Sequence, residues 1–402
     1  MIVRPPLADA LSVLLPMPDQ TLLLQACLYS GTAGRKACAA WLEQQGERQH
    51  EPQEEFVKSL LPLLFSALRR SEIEVNHLFL TILRTASLRE ELRTKTYRRI
   101  CREVFLALAT AAIPHIVVRG AALSDTVYSD PALRHSHDID ILLGESDSSR
   151  TISLLSSLGF ARSSKTESPK WNDIQLIHTS GLPLVLHRHL FGVAPYNTDS
   201  ANIWARSQLQ VVADVPARIL SPADALLHIC GHASYDLSRE SPRWACDAWF
   251  LIDRYQDLDW EVLLSVAGRS RLALPLSVML DYLAEELQAP IPSRVLTRLH
   301  AVAARADTVE CELALWGARS GTRVRLRDIF GLARDWHTRT WIFKRLLFPS
   351  PRYLRSIQQI PRLWLLPFYY AYRPLRYTVR YVCWLYRDHI QYKLLRRKLF
   401  PS

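Results

Sequence analysis

The stretch Asp138-Ile139-Asp140-Ile141-Leu142-Leu143 alternates acidic and aliphatic residues at its start, as a half-buried strand does. Side chains on a strand alternate between faces, so Asp138 and Asp140 would share one face while Ile139 and Ile141 turn to the core. Two acids so placed form a pair able to hold a hard divalent cation. Mg²⁺ retains water and takes only a few carboxylates from a protein, and Mn²⁺ accepts the same donors. An acid-x-acid pair alone is a weak signal, because such pairs also occur on solvent-facing strand edges. Its weight comes from what precedes it.

Upstream, Pro114 stops a helix, and His115-Ile116-Val117-Val118 is a β-branched run closed by Arg119-Gly120. Ala121–Tyr128 reads as helix, so Gly120 and Ala121 fall where a strand turns into a helix N-terminus, a place suited to phosphate groups. Ser129-Asp130-Pro131 is a turn, and a helix over 148–158 ends at Gly159. Two more strands, 171–178 and 182–190, flank Ser180-Gly181. The order β-α-β-α-β-β predicts a small mixed sheet with helices packed on it. Around it the chain is helical. Apolar residues recur at helical spacing through Leu22–Cys27 and Leu60–Leu68, and 88–112 makes a further long helix. Ser221-Pro222 starts another, followed by helices over 240–255, 259–268, 273–287 and 307–317. The expected class is α+β, a small mixed-sheet core embedded in a mostly helical protein. Its expected parts are a helical region 1–111, the α/β core 112–215, a helical domain 216–335 and a C-terminal segment 336–402.

Three stretches together name a relative. They are Val118-Arg119-Gly120-Ala121-Ala122-Leu123, Tyr128-Ser129-Asp130-Pro131, and Leu133-Arg134 through Asp138-Ile139-Asp140-Ile141-Leu142. They closely resemble the bacterial uncharacterised nucleotidyltransferase family, of polymerase-β-like type, whose corresponding stretch reads roughly LKGAAL, YPDPxLR and SDIDLLV. Leu186-His187, Leu226-Leu227-His228 with His232-Ala233, Arg243-Trp244 with Asp247, and Leu347–Ser350 match as well. The resemblance implies transfer of a nucleoside monophosphate from an NTP to a hydroxyl, releasing pyrophosphate. Asp138 and Asp140 would be the catalytic, metal-binding carboxylates. Arg119, Gly120, Ala121 and Arg134 would meet the nucleotide, with a structural salt bridge as the other reading of Arg134. His187, His189 and Asp247 would line the cleft, and Asp247 could instead pair with Arg243. Two departures stand out. Arg119 replaces the family's Lys, and Val185 occupies the place of its third carboxylate, a general base or second metal ligand. Asp173, His187 and His189 are the nearest polar residues to Val185. His187 and His189, two apart on one strand, could also join the acids in a mixed carboxylate–imidazole site. His228 and His232, spaced i, i+4, fit a metal pair or a packed pair.

Charge divides the chain. Residues 336–402 hold 14 Lys/Arg and one acid, Asp388, whereas 1–335 hold 36 bases and 38 acids. The basicity therefore belongs to the tail, which also carries 16 aromatics and ends in an amphipathic basic helix at about 375–398. This composition suits an anionic lipid surface, RNA, or packing back onto the body. Seven scattered cysteines without a CxxC pair argue for a reducing compartment and against a zinc site. With no N-terminal signal pattern, the expected location is the cytoplasm, with the tail allowing attachment at a membrane periphery. Acceptors range over a sugar or small metabolite, a protein, or an RNA end. Two rival functions remain at this level: a nucleotide-binding or scaffold protein that has lost catalysis, and an RNA-directed nucleotidyltransferase toxin.

Overall fold

The computed structural model describes residues 7–46, 55–144, 147–162, 173–192, 196–197, 200–235, 242–320 and 365–372, with isolated positions 336, 340, 344, 348 and 351. Among them are fourteen α-helices and one seven-stranded sheet, an α+β arrangement. The chain opens with α1 (Ala8–Leu11), α2 (Pro18–Leu28), α3 (Gly31–Gln45) and α4 (Glu55–Arg70). The long α5 (His77–Thr110) follows. It starts where the Asn76 side chain accepts the Phe79 N–H and stops before Pro114. Its length exceeds the helix expected over 88–112, because two apolar stripes run through it. Phe79 and Leu83 pack with the N-terminal helices, while Ile100, Val104, Phe105 and Leu108 pack under the sheet.

Next come β1 (His115–Val118), α6 (Arg119–Thr126), β2 (Ile139–Leu143), α7 (Ser148–Ser157), β3 (Phe160–Arg162), β4 (Ile174–His178) and β5 (Pro183–His187). After α8 (Ser200–Arg206) the chain adds β6 (Gln208–Val212) and β7 (Val215–Ile219). The sheet order is β3-β4-β5-β2-β1-β7-β6. β1 runs antiparallel to β2 but parallel to β7, and β2 is parallel to β5, so the sheet is mixed as expected. Three strands were not foreseen, and the sheet continues past residue 215. The β6–β7 hairpin lacks an Asn-Gly signal. Ala213 and Asp214 adopt positive φ (50° and 63°), the backbone a two-residue hairpin requires. Asp125 offsets that strain by accepting the Ala213 N–H at 2.7 Å, and Arg98 bridges Asp125 and Asp214.

Helices α9 (Pro222–Tyr235), α10 (Arg243–Arg254), α11 (Trp260–Arg269), α12 (Ala273–Glu285), α13 (Ser293–Ala303) and α14 (Thr308–Ser320) complete the body. Ser221 Oγ accepts the Asp224 N–H and Asp259 caps Val262, as the sequence signals require. α13 was not anticipated; its N-cap is Pro292, which offers no side-chain acceptor. Two apolar clusters sandwich the central strands. Val117, Ile139, Ile141, Leu143, Leu184 and Leu186 pack with α5 on one face, and Ile116, Val118 and Leu142 join the helical body on the other. β1 and β2 are therefore buried on both faces, which explains their aliphatic content. In the tail, Leu365, Leu366, Tyr369 and Tyr370 pack on the body's core, while Phe368 and Tyr372 face outward. The basic helix expected at 375–398 lies outside the described residues. No described helix is long and apolar enough to cross a membrane.

Glu310 of α14 is buried and accepts the Leu274 N–H at 2.8 Å. Burial pushes its carboxyl up to about 7. For an acid whose folded value is raised, stability is fully present below the unfolded value and is lost as pH rises through the folded one. Glu310→Gln keeps the acceptor oxygen and removes the charge. It is expected to raise the melting temperature at pH 8 and leave it nearly unchanged at pH 5, as read by thermal denaturation at both values.

Candidate active site

The antiparallel register of β1 and β2 pairs Val118 with Asp140. Because α6 begins at the next residue, Arg119, its first turn lies beside Asp140. The local backbone differs from the expected glycine turn. The residue in the left-handed region is Arg119 (φ 55°), and Gly120 is required for a different reason. A Cβ on Gly120 would lie 2.9 Å from Arg134 Nη1 and 3.1 Å from Ser136 Oγ. Gly120 therefore lets the Arg134 guanidinium cross close to the turn. Strain at a non-glycine residue is a feature of functional sites, and here it aims a guanidinium at a carboxylate.

Asp140 is buried on β2, and His187 at the end of β5 donates to its Oδ1 from Nε2 at 2.7 Å. Arg119 approaches the same oxygen at 3.5 Å, so Oδ2 carries neither contact. Burial would raise this carboxyl, but the Arg119 charge and the His187 hydrogen bond outweigh it and hold Asp140 well below the usual carboxylate range. The other nitrogen of His187, Nδ1, meets Asp173 at 3.1 Å. Burial alone would lower this imidazole, but hydrogen bonds to Asp140 and Asp173 win and push it up to about 9.

Asp138 sits one residue ahead of β2, with its side chain about a quarter exposed. Tyr97 of α5 donates to its backbone carbonyl at 2.8 Å and fixes the approach to the strand. Burial, and then the charge of Asp140, raise the Asp138 carboxyl. The pair thus combines an ionised, buried Asp140 with an outer Asp138 that resists ionisation in the protein alone. A divalent cation would relieve that repulsion, and the oxygen-only donor set fits Mg²⁺ or Mn²⁺. No group of three or more His, Cys, Asp or Glu among the described residues could hold a metal ion. The mixed carboxylate–imidazole site is accordingly not assembled. Both nitrogens of His187 are engaged, and His189 lies past the end of β5, exposed in a bend.

Arg134 and Asp247 are brought together. Arg134 Nε and Nη2 donate to the two carboxylate oxygens of Asp247 at 2.8 and 2.7 Å, and Nη1 donates to Ser136. Tyr128 also donates to Asp247, at 2.8 Å. These described donors of Arg134 are thus taken by Asp247 and Ser136, and they tie the segment leading to β2 to α10. The alternative pairing of Asp247 with Arg243 is not the one formed; Arg243 donates to the His135 carbonyl at 2.6 Å. Val185 is the register partner of Asp140 on β5, beside that carboxylate. His135 is held by Glu90 at 2.8 Å, and His137 is exposed 3.7 Å from Asp138.

Sequence reasoning missed the contribution of α5. Glu90, Arg93 and Tyr97 come from one helix well upstream and brace the segment leading to Asp138. The available signal was Tyr97 within a buried apolar stripe, since a buried phenol needs a polar partner. His228 and His232 of α9 face one another edge-on, with ring centroids 6.1 Å apart.

No curated protein and no solved structure matches the chain. The family model described as "Uncharacterised nucleotidyltransferase" matches residues 56–288, which include α5, the strands β1 to β7, the acidic pair and Asp247. That span exceeds half of the chain, and with the strand–turn–helix and Asp138–Asp140 geometry it establishes that the protein belongs to the uncharacterised nucleotidyltransferase family.

Proposed function

We propose that the protein transfers a nucleoside monophosphate from an NTP to a hydroxyl acceptor, with Asp138 and Asp140 as the metal-holding pair. The observation that carries this is the Val118–Asp140 register, which sets the first turn of α6 beside the acids. A triphosphate over that turn would meet the N–H groups of Gly120 and Ala121 and the guanidinium of Arg119. The acceptor oxygen attacks the α-phosphorus as its proton passes to solvent water, the bond to the bridging oxygen breaks, and pyrophosphate leaves with the electron pair. Asp138 and Asp140 would hold Mg²⁺ or Mn²⁺, which would neutralise the triphosphate and acidify the attacking hydroxyl. Arg134 and Asp247 position the turn rather than touch phosphate. His187 fixes the charge of Asp140. Acceptors that fit this chemistry are a sugar or small metabolite, a protein, or an RNA end.

The test uses labelled NTPs and a cell extract with Mg²⁺. Wild type is expected to label one extract component, and Asp140→Asn to lose the label. Equal labelling by both proteins would remove the acidic pair from the reaction. A second reading, nucleotide binding without turnover, is favoured by Val185 beside Asp140, where an aliphatic side chain can neither take a proton nor bind a metal. Its signature is Mg²⁺-dependent NTP binding, lost in Asp140→Asn, with no label transferred.

For the tail we assign contact with anionic lipid, supported by its charge and by exposed Trp336, Phe348 and Phe368. Liposome flotation of full-length protein should fall when these three are replaced by Ala. Unchanged flotation would end the assignment, and binding to RNA alone would redirect it.

A further inference from the structure

On one side the sheet ends at β6, whose described pairing is with β7 alone. Edge strands are usually blunted by charges, prolines, bulges or a covering element. Gln208-Leu209-Gln210-Val211-Val212 carries no charge, no Pro and no break in register, and its first four residues are exposed. Leu209 and Val211, 66% and 61% exposed, share one face. The hairpin fixes which backbone groups are open. The residues flanking a two-residue turn, here Val212 and Val215, form a hydrogen-bonded pair, and the pattern alternates from there. Val211 therefore faces Pro216 in a non-hydrogen-bonded pair, which suits a residue without an N–H, and Leu209 faces Arg218 in the next one. The N–H and C=O groups of Leu209 and Val211 thus point away from β7, and among the described residues they meet no partner.

We propose that β6 is a dimer edge occupied by β6 of a second copy of this chain, paired antiparallel about a two-fold axis at Gln210. Outward-facing residues can bond only outward-facing residues. With Gln210 opposite its own copy, Leu209 falls opposite Val211 of the second copy and Val211 opposite Leu209, so every open N–H and C=O is used. The same register lays Leu209 and Val211 side chains against each other, as cross-strand aliphatic pairs do. A slip by one residue would set open groups against closed ones. A slip by two would set Val211 against Ser207 or Leu209 against Ala213, whose carbonyl and N–H already bond Arg218 and Asp125. Charge selects the same partner. At the start of β6, Arg218 Nη1 donates to Ser207 O and Oγ at 3.1 and 3.0 Å. Past its other end stands Asp214, its side chain 71% exposed, with Oδ1 held by Arg98 at 3.0 Å. Antiparallel self-pairing brings the Asp214 end of each copy to the Arg218 end of the other. A two-fold axis also consumes the edge, so assembly closes at two chains. The proposal is independent of the nucleotidyl transfer reading.

The experiment is sedimentation equilibrium of the full chain over a concentration series, with oxidative crosslinking of cysteine variants. Wild type is expected to pass from monomer to dimer as concentration rises. Val211→Pro removes an outward N–H and no β6–β7 hydrogen bond, so it should weaken dimerisation about tenfold or more, a change of about 1.4 kcal/mol. Leu209→Lys, at an exposed position, should do the same, and it serves if the first variant fails to fold. Gln210→Cys reads the register. Residues facing in a non-hydrogen-bonded pair have Cα atoms about 4.5 Å apart, within disulfide reach, whereas Val211 lies more than about 7 Å from its own copy. A disulfide dimer is expected from Gln210→Cys and not from wild type or Val211→Cys. Wild type that stays monomeric throughout the series would overturn the proposal, as would a dimer unchanged by both Val211→Pro and Leu209→Lys. Crosslinking of Val211→Cys as readily as Gln210→Cys would overturn the two-fold pairing.

Discussion

Asp247→Ala is expected to destabilise the folded protein by about 3–5 kcal/mol, the usual cost of leaving one partner of a buried ion pair uncompensated. Arg134 and Asp247 each have side chains about 7% exposed, and the pair is bidentate. Removing the carboxylate strands a guanidinium in the interior and takes the acceptor from the Tyr128 hydroxyl at the same time. Neither group can turn to water without opening the junction between the α6 turn and α10. Removing both charges is a different matter. Arg134→Met with Asp247→Leu replaces the pair by side chains that need no partners, a change that is often neutral or stabilising by about 1–4 kcal/mol. The double variant is therefore expected to be much more stable than Asp247→Ala, with a strongly non-additive cycle. Urea denaturation of wild type, Arg134→Met, Asp247→Leu and the double variant closes the cycle, with Asp247→Ala measured beside them. Equal losses for the single and double variants would mean that Asp247 acts through packing alone. The double variant should still lose Mg²⁺-dependent NTP binding in part, because the guanidinium that crosses beside Gly120 is gone.

The same pair marks where reading the sequence stops. β1 was legible residue by residue, since Pro114, a β-branched run and Arg119-Gly120 bracket it. β2 was legible because Ile139, Ile141 and Leu143 alternate with residues of the opposite face, and the DxD placed the acids. β6 and β7 were not. β6 alternates over Gln208-Leu209-Gln210-Val211, but Leu209 and Val211 are exposed rather than turned to a core, and its turn uses Ala213-Asp214 without a glycine signal. What binds those strands to the sheet is tertiary: the Asp125 carboxylate on the Ala213 N–H and the pairing of Val117 with Ile219. The partner of Arg134 was likewise beyond local reasoning. Local spacing offered Arg243 for Asp247 at i, i+4, whereas the formed bond spans more than a hundred residues and depends on Gly120 having no Cβ. Tyr97, Glu90 and Arg93 belong to the same class, because nothing local to a helix says which strand entrance it will brace.

Asp138→Asn should raise the melting temperature at pH 7.5 and, in the same protein, lower nucleotidyl transfer by at least about 10²–10³-fold, the loss typical of removing one electrostatic stabiliser from a water-excluded site. Both effects have one cause. Burial and the neighbouring Asp140 charge raise the Asp138 carboxyl, so its ionised form opposes folding. An acid raised in the folded state contributes stability below its unfolded value and loses that contribution as pH climbs through the folded value. The gain from Asn should therefore be present at pH 7.5 and shrink toward pH 4. Asp140 behaves oppositely. Its ionised form is held by Arg119 and His187, so Asp140→Asn should lower the melting temperature as well as activity. The contrast separates the two roles within one pair. Asp140 is the anchored carboxylate, built into the sheet and charge-compensated by the protein. Asp138 is the outer one, and in the proposed reaction its charge is the one a bound cation would neutralise. Thermal melts with and without Mg²⁺ and ATP complete the comparison. The ligands should stabilise wild type by more than they stabilise Asp138→Asn. Equal shifts in the two proteins would show that Asp138 carries no part of the metal–nucleotide complex, and its raised carboxyl would then be a cost of the fold alone.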